Sequence, residues 1–374
     1  MITNNLLMHE MVRDMNEAKE DFVGGYSRSY TKQIINEIEK NNLNEFRSWI
    51  SGPAGISSYS GGLSDCGRIY GWNFHPFDKG FEKIDNNFFI RNFNKIVNRL
   101  TKHFNMFKFL SIRSPIIKTY HKILISDIQN IYFDSISALD KNHILERVED
   151  SKIGKPLGFN KNGKFYTREF LNEISQILFI ENHIEYKDID SVIEIGSGLG
   201  LKADITLKIN PKLKYYLIEM PPILYIAQKY LIANNYRVLT YEEIKNKNIK
   251  NIKDININDY DAVCLAPWMM DILKDVKFDM LINDHSFTRL EPKIVQKYLD
   301  ILLPNIKKAV CLMSAHDKSV FMQNKNLKHK GFYGLNCNDY KNILSPSFDL
   351  VEKRQEIWFG KTDNNTCQLL FNKK

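Results

Sequence analysis

Ser191-Val-Ile-Glu-Ile-Gly-Ser-Gly-Leu-Gly200 is the stretch that decides how this 374-residue chain folds. Val192, Ile193 and Ile195 form a short β-branched apolar run, the pattern of a buried strand. Gly196, Gly198 and Gly200 follow at alternate positions. Glycine lets a chain turn tightly and lets its backbone approach a ligand with no Cβ in the way. Leu201, Ile205 and Ile209 then recur at helical spacing. The reading is strand, glycine turn, helix, as in a doubly wound α/β sheet.

The glycine spacing narrows the ligand. Dinucleotide enzymes use G-x-G-x-x-G, with the third glycine allowing close helix–strand packing. Here Leu201 holds that place and the third glycine comes one residue early. A phosphate-binding P-loop is excluded, because no Gly-Lys-Ser/Thr follows. The pattern, with Glu194 two residues before Gly196, resembles the first motif of S-adenosylmethionine (SAM) methyltransferases. A second strand candidate, Lys214-Tyr-Tyr-Leu-Ile-Glu219, ends on an acid about twenty positions past the glycines, where a carboxylate meets ribose hydroxyls. Pro221 and Pro222 then open a helix, with Ile223, Leu224, Ala227, Tyr230 and Leu231 at helical spacing.

These motifs carry a further resemblance. Glu-Ile-Gly-Ser-Gly-Leu-Gly (194–200), the run Tyr216 to Leu231, Leu-Ala-Pro (265–267) and Phe-Asp-Met-Leu-Ile-Asn-Asp-His-Ser-Phe (278–287) are similar to those of bacterial sugar O-methyltransferases, SAM-dependent enzymes of surface-polysaccharide clusters. Gly154-Lys-Pro-Leu-Gly158 resembles the opening of that family's catalytic domain. The likeness spans residues 154–320. It implies a Rossmann-like methyltransferase fold, SAM as cofactor, and a sugar, nucleotide-sugar or glycan hydroxyl as acceptor. It also places Glu194, Gly196, Ser197, Gly198, Gly200, Glu219, Met220, Pro267, Trp268 and Asn283 beside the cofactor. One position departs from the family: Arg289 stands where a glutamate is usual, and Glu291 follows two residues later.

Strand–helix alternation over residues 151–374 predicts a mainly parallel sheet covered on both faces. Asp261–Ala266, Phe278–Asn283 and Ala309–Ala315 read as further strands, and Arg237–Tyr241 competes with Asp261–Ala266 for third place; the resemblance favours the latter. Phe348–Arg354 and Cys367–Asn372 read as closing antiparallel strands. Residues 244–259, rich in Lys, Asn and Ile, read as a surface insertion. Residues 1–150 read as a mostly helical accessory region. Within it Thr31–Asn41 has Ile34, Ile35 and Ile38 on one side, and Phe81–Leu139 is helical and apolar. Ser51–Gly71 is a glycine-rich loop near Arg68, Tyr70, Trp72 and His75, either a lid over the acceptor or a plain connector. Asp150–Asn162 reads as a polar linker and Phe170–Ile184 as a helix leading into the glycine-motif strand.

Ligands of open α/β sheets bind at the carboxyl ends of the strands. A hydroxyl is a poor nucleophile, so methyl transfer to it calls for a base. His285, after the fourth strand, is the first candidate; Asp284 orients it or acts itself. His316, after the fifth strand, is second. A lone histidine is more often structural, and Arg289 is more simply an exposed cation. Asn283, Asp284 and His285 lack the second acidic cluster that an octahedral Mg²⁺ site needs, so no metal is assigned.

Composition bounds the rest. Hydrophobic residues make up 43% and aromatics 12%, enough for a real core and too much for disorder. The net charge of +8 is spread out, +2 over residues 1–185 and +6 over 186–374, so no nucleic-acid stripe forms. The five cysteines include no C-x-x-C pair, which argues against zinc and suits a reducing cytoplasm. Cys264 and Cys311 fall within apolar strands, as small core residues. No apolar run is long enough to span a membrane, and the first residues do not read as a signal peptide. The competing functions are methylation of another small molecule or RNA, a non-catalytic SAM-binding module, and a nicotinamide oxidoreductase. The acceptor and the oligomeric state are not legible.

Overall fold

A computed structural model describes residues 5–18, 21–40, 43–48, 130, 132–156, 158–323, 331–358 and 361–374. The predicted glycine-rich loop at 51–71, the residues Arg68, Tyr70, Trp72 and His75, and most of the predicted helical region 81–139 lie outside them.

The centre is an eight-stranded sheet. Its strands are β3 (Ser191–Ile195), β4 (Lys214–Ile218), β5 (Val238–Leu239), β6 (Ala262–Leu265), β7 (Phe278–Asp284), β8 (Ile306–His316), β11 (Phe348–Trp358) and β12 (Lys361–Lys373). The order across it is β11-β12-β8-β7-β3-β4-β6-β5. Strands β3 to β8 run parallel to one another, and β12 runs antiparallel to both β8 and β11. This is a doubly wound, Rossmann-like α/β sheet. The order reverses at β3, which has β4 on one side and β7 on the other, and that reversal opens a crevice at the carboxyl ends. Two small hairpins stand outside the sheet: β1 (Gly158–Lys161) with β2 (Lys164–Thr167), and β9 (Phe321–Gln323) with β10 (Gly331–Tyr333).

The strands are apolar on both faces, because helices cover both. Alternation sends neighbours opposite ways. Val192 joins the core on one face, and Ile193 and Ile195 join the core on the other. The first face is covered by α1 (Leu6–Glu17), α2 (Gly24–Lys40), the one-turn α3 (Ile144–Arg147), α4 (Arg168–Glu181), α5 (Leu201–Ile209) and α6 (Pro221–Ala233). α7 (Tyr241–Asn246) follows β5. α8 (Pro292–Leu302) and α9 (Cys337–Leu344) pack on the second face. Among the described residues no helix is long and apolar enough to cross a membrane.

The helix starts follow local chemistry. Thr167 caps α4, its hydroxyl accepting from the Phe170 N–H at 3.1 Å. Pro221 and Pro222 sit in the first turn of α6, where a missing N–H costs nothing.

Several elements differ from the sequence reading. The strand expected over Arg237–Tyr241 shrinks to Val238–Leu239, because Thr240 caps a helix that starts at Tyr241. β6 takes the place beside β4, and β5 lies beyond it at the edge. The segment 244–259 is no plain surface insertion: Ile244, Ile249 and Ile252 are buried in the second core. The Asp150–Asn162 linker is anchored rather than loose. Asp150 is buried against Arg47, Nη2 to Oδ2 being 2.7 Å, and residues 158–161 enter the first hairpin. A disulfide joins Cys337 of α9 to Cys367 of β12, a pairing the spacing of the five cysteines did not reveal.

The first two helices share the core of the sheet. Met8 and Met11 of α1 and Ile34 and Ile38 of α2 lie in the same apolar cluster as Leu224 and Leu231 of α6. Between α1 and α2 the chain reaches the other face, where Phe22 packs on Tyr298 and its carbonyl accepts from the Tyr298 hydroxyl at 3.0 Å.

Candidate active site

The site begins where β3 ends. Gly196, Gly198 and Gly200 all have positive φ, at 76°, 55° and 81°. That region is open to glycine and strained for other residues. A Cβ on Gly196 would also strike the Ser286 side chain, so the turn and the segment after β7 touch here. Gly196 N–H donates to the Ile218 carbonyl at 2.8 Å, which carries the β3–β4 ladder into the turn.

Glu219 follows β4 and is buried. Its Oε2 accepts from the Gly198 N–H and its Oε1 from the Met220 N–H, each at 2.7 Å. Burial pushes this carboxyl up to about 7, against the downward pull of the two N–H donors and the Arg289 guanidinium. A carboxylate has about four acceptor sites, so these two bonds leave it capacity for ligand hydroxyls. Ser197 adds a buried hydroxyl with no hydrogen-bond partner among the described residues. Pro267 is buried and Trp268 half-buried after β6; the Trp268 ring stands edge-on to Tyr241, with centroids 6.4 Å apart.

The end of β7 is knotted to the end of β3. Asn283 donates its amide to the Ile195 carbonyl at 2.8 Å and to Ser286 Oγ at 2.5 Å, and its Oδ1 accepts from the Phe287 N–H at 3.1 Å. The described bonds of Asn283 therefore brace the crevice floor. Next to this knot His285 adopts φ 57°, unusual for a residue with a side chain. Such outliers gather at functional sites. Its ring is partly exposed, with Nε2 3.7 Å from Asp284 Oδ1. His316 ends β8, three positions past Met313, which pairs with Asp284. It thus lies roughly 10 Å further along the strand direction than Asp284.

Beneath His285 lies a cluster the sequence reading missed. Lys202, on the first turn of α5, is 2% exposed. Its ammonium binds Glu173, donates to Gln176 Oε1 at 2.5 Å and to Asp284 Oδ2 at 3.2 Å, and stands 3.9 Å from Glu194 Oε1. Glu194 Oε2 accepts from the Tyr215 hydroxyl at 2.9 Å. Glu194 thus faces this cluster. The strand period explains why: Glu194 pairs with Ile282, and Asp284 lies two residues on, so all three point to the first face. Burial pushes Glu194 up to about 8, with Glu173 and Asp284 adding to it, against Lys202 and the Tyr215 hydroxyl. Burial also raises Glu173, more than Lys202 lowers it. For Asp284 burial is outweighed by Lys202 and His285, and its carboxyl is held below the usual range. Two signals were present in the sequence, a lysine inside an apolar helix stripe and Glu173 in another. Each alone reads as an exposed charge.

Near the rim, Asp317, Cys337 and Cys367 form a group of metal-compatible spacing among the described residues, but its two sulfurs are joined to each other.

No family model matches the chain, and no curated protein matches it. Solved structures give distant likenesses. The mitomycin 7-O-methyltransferase MmcR aligns at 12% identity and a TM-score of 0.34, over 55% of this chain and 57% of that one. The chain thus spans little more than half the length of that enzyme. The magnesium protoporphyrin IX methyltransferase ChlM from Synechocystis PCC 6803 with bound SAM aligns at 11% identity and a TM-score of 0.35, over 55% and 80%. The glycopeptide N-methyltransferase MtfA complexed with SAM aligns at 9% identity and a TM-score of 0.37, over 54% and 94%.

Proposed function

We propose that this chain is a SAM-dependent O-methyltransferase acting on a hydroxyl of a sugar, nucleotide-sugar or glycan precursor. The observation that carries the cofactor reading is Glu219: a buried carboxylate beside the switch point, bonded to the glycine turn, with acceptor capacity left over. The surroundings fit an adenosyl ligand. The glycines at 196, 198 and 200 offer backbone without Cβ atoms, and the Ser197 hydroxyl is buried with no partner among the described residues. When bound, SAM supplies an electrophilic methyl group on a sulfonium.

In this reading Glu219 holds the ribose hydroxyls, Met220 closes the adjoining turn, and Pro267 and Trp268 border the base. Asn283 and Glu194 brace the strand ends that carry these contacts. His285 takes the proton of the acceptor hydroxyl at Nδ1, the ring nitrogen remote from Asp284, and Asp284 stabilises the imidazolium. His285 is preferred over His316 because its neighbour Ser286 touches Gly196, whereas His316 lies further along β8. The acceptor class rests on the resemblance across residues 154–320. Arg289 stands exposed where that family has glutamate, the setting of a plain surface cation.

Calorimetry with SAM, S-adenosylhomocysteine and NAD tests the cofactor. Binding of the first two and not the third is expected, and the reverse result overturns the reading. Labelled SAM offered with sugars, nucleotide-sugars and RNA tests the acceptor. His285→Ala should cut turnover about 10²- to 10⁴-fold with little change in S-adenosylhomocysteine affinity, and His316→Ala far less. SAM binding with no acceptor ever methylated would point to a non-catalytic binding module.

A further inference from the structure

We propose that Lys202 is a positioning residue for the reaction: its buried ammonium, 3.2 Å from Asp284 Oδ2, fixes that carboxylate against His285 and fastens it to the helix that leaves the glycine turn. The proposal rests on the reading of His285 as the base.

Lysine is almost never fully buried unless it is paired. Moving an ammonium out of water costs several kcal/mol, which an ordinary structural pair offsets with one carboxylate. Here three surround it, from three different elements: Glu173 on α4, Glu194 on β3 and Asp284 on β7. One positive charge cannot keep three buried carboxylates ionised. The cluster must hold protons, and the question is where.

Of the three, Glu194 has the weakest hold on the ammonium. Glu194 is bonded to a phenol and stands furthest from the ammonium. Glu173 binds the ammonium directly and is as buried as Asp284, and Asp284 has both Lys202 and the His285 ring beside it. Two further described groups face Asp284 or lie close to it. Gln176 is neutral, and burial keeps the Cys311 thiol protonated. Burial raises Glu194 and Glu173, whereas at Asp284 burial is outweighed by Lys202 and His285. Lys202 therefore helps to keep Asp284 ionised beside the His285 ring. An ionised Asp284 stabilises the imidazolium, so the ring becomes a better acceptor for the hydroxyl proton. Because Lys202 is the second residue of the helix after Gly200, the same ammonium sets the ring relative to the cofactor turn.

The test follows the carboxyl of Asp284 and the ring of His285 by ¹³C NMR across a pH series, in the full chain and in the Lys202→Met, Lys202→Arg and Glu173→Gln variants. In Lys202→Met, Asp284 should titrate about 2 pH units higher, and the His285 ring should gain a second inflection at that pH. Lys202→Arg should restore most of the shift. Glu173→Gln, which removes a competitor for the ammonium, should leave Asp284 at or below its original value. An Asp284 titration unmoved in Lys202→Met would overturn the proposal. Should that variant fail to fold, a rise of Asp284 in Glu173→Gln, or in a folded Lys202→Arg, would do the same. Failure of the base assignment reads differently: His285→Ala would keep its turnover while Asp284 still responded to Lys202.

Discussion

At the scale of single residues, the two acids flanking the glycine turn have opposite tasks, and both leave a pH signature. Burial pushes the Glu219 carboxyl in the folded chain from 4.5 up to about 7. Hydroxyl donors bond an ionised carboxylate more strongly than a protonated one. Affinity for S-adenosylhomocysteine should therefore be full above about pH 7 and fall as the pH drops through it, up to about tenfold per unit. Calorimetry between pH 5.5 and 8.5 measures this. Glu219→Gln should bind about 10- to 100-fold more weakly and lose the pH dependence. Glu194 acts on stability. Its folded value is about 8 against 4.5 for the free side chain, so between those values the native state holds the extra proton. Stability contributed by this group is present at low pH and is lost as pH rises, by up to about 1.4 kcal/mol per unit. Glu194→Gln should flatten the decline of Tm between pH 5 and 8. Glu219 at its strand end was legible in the sequence, because an acid after a strand is a local pattern. The role of Glu194 was not, because its partners Lys202 and Tyr215 come from other elements.

At the scale of elements, the turn after β3 has to satisfy two demands at Gly196. Its φ of 76° disfavours any Cβ, and the space a Cβ would fill belongs to Ser286. Gly196→Ala should cost about 1–3 kcal/mol and impair cofactor binding. Gly196→Ala with Ser286→Gly should recover only part of the loss, since the backbone strain remains; thermal melts of both variants test this. The strand–turn–helix unit could be read from residues 191–209, because alternation, glycine spacing and helical periodicity are all short-range. Asn283 could not be read that way. Its amide reaches the Ile195 carbonyl, 88 positions earlier, and only the β3–β7 pairing brings the two together. The edge strand at 238–239 was overestimated for a comparable reason: Thr240 supplies a helix cap, and its bond to the Glu243 N–H ends the extended run.

At the scale of the whole molecule, the described segments before residue 150 share a core with the sheet. Arg47 and Asp150 show how this is held: the guanidinium spans both carboxylate oxygens, at 3.0 and 2.7 Å, and neither group meets solvent appreciably. Asp150→Ala leaves a buried cation unpaired and should cost about 3–5 kcal/mol, while Arg47→Met with Asp150→Leu should recover much of it. Urea unfolding of the single and double variants measures the difference. The sequence by itself determined the parallel strands, the glycine turn, the acid after β4 and the helix opened by Pro221 and Pro222. Each depends on residues a few positions apart and on the backbone freedom of particular amino acids. Only the tertiary structure decided that Lys202 would meet Glu173, Glu194 and Asp284, that Arg47 would reach Asp150, and that Cys337 would join Cys367. A buried charge reveals its partner only when strand register and helix docking have brought distant segments into one dry interior, where an unpaired ion is too costly to leave.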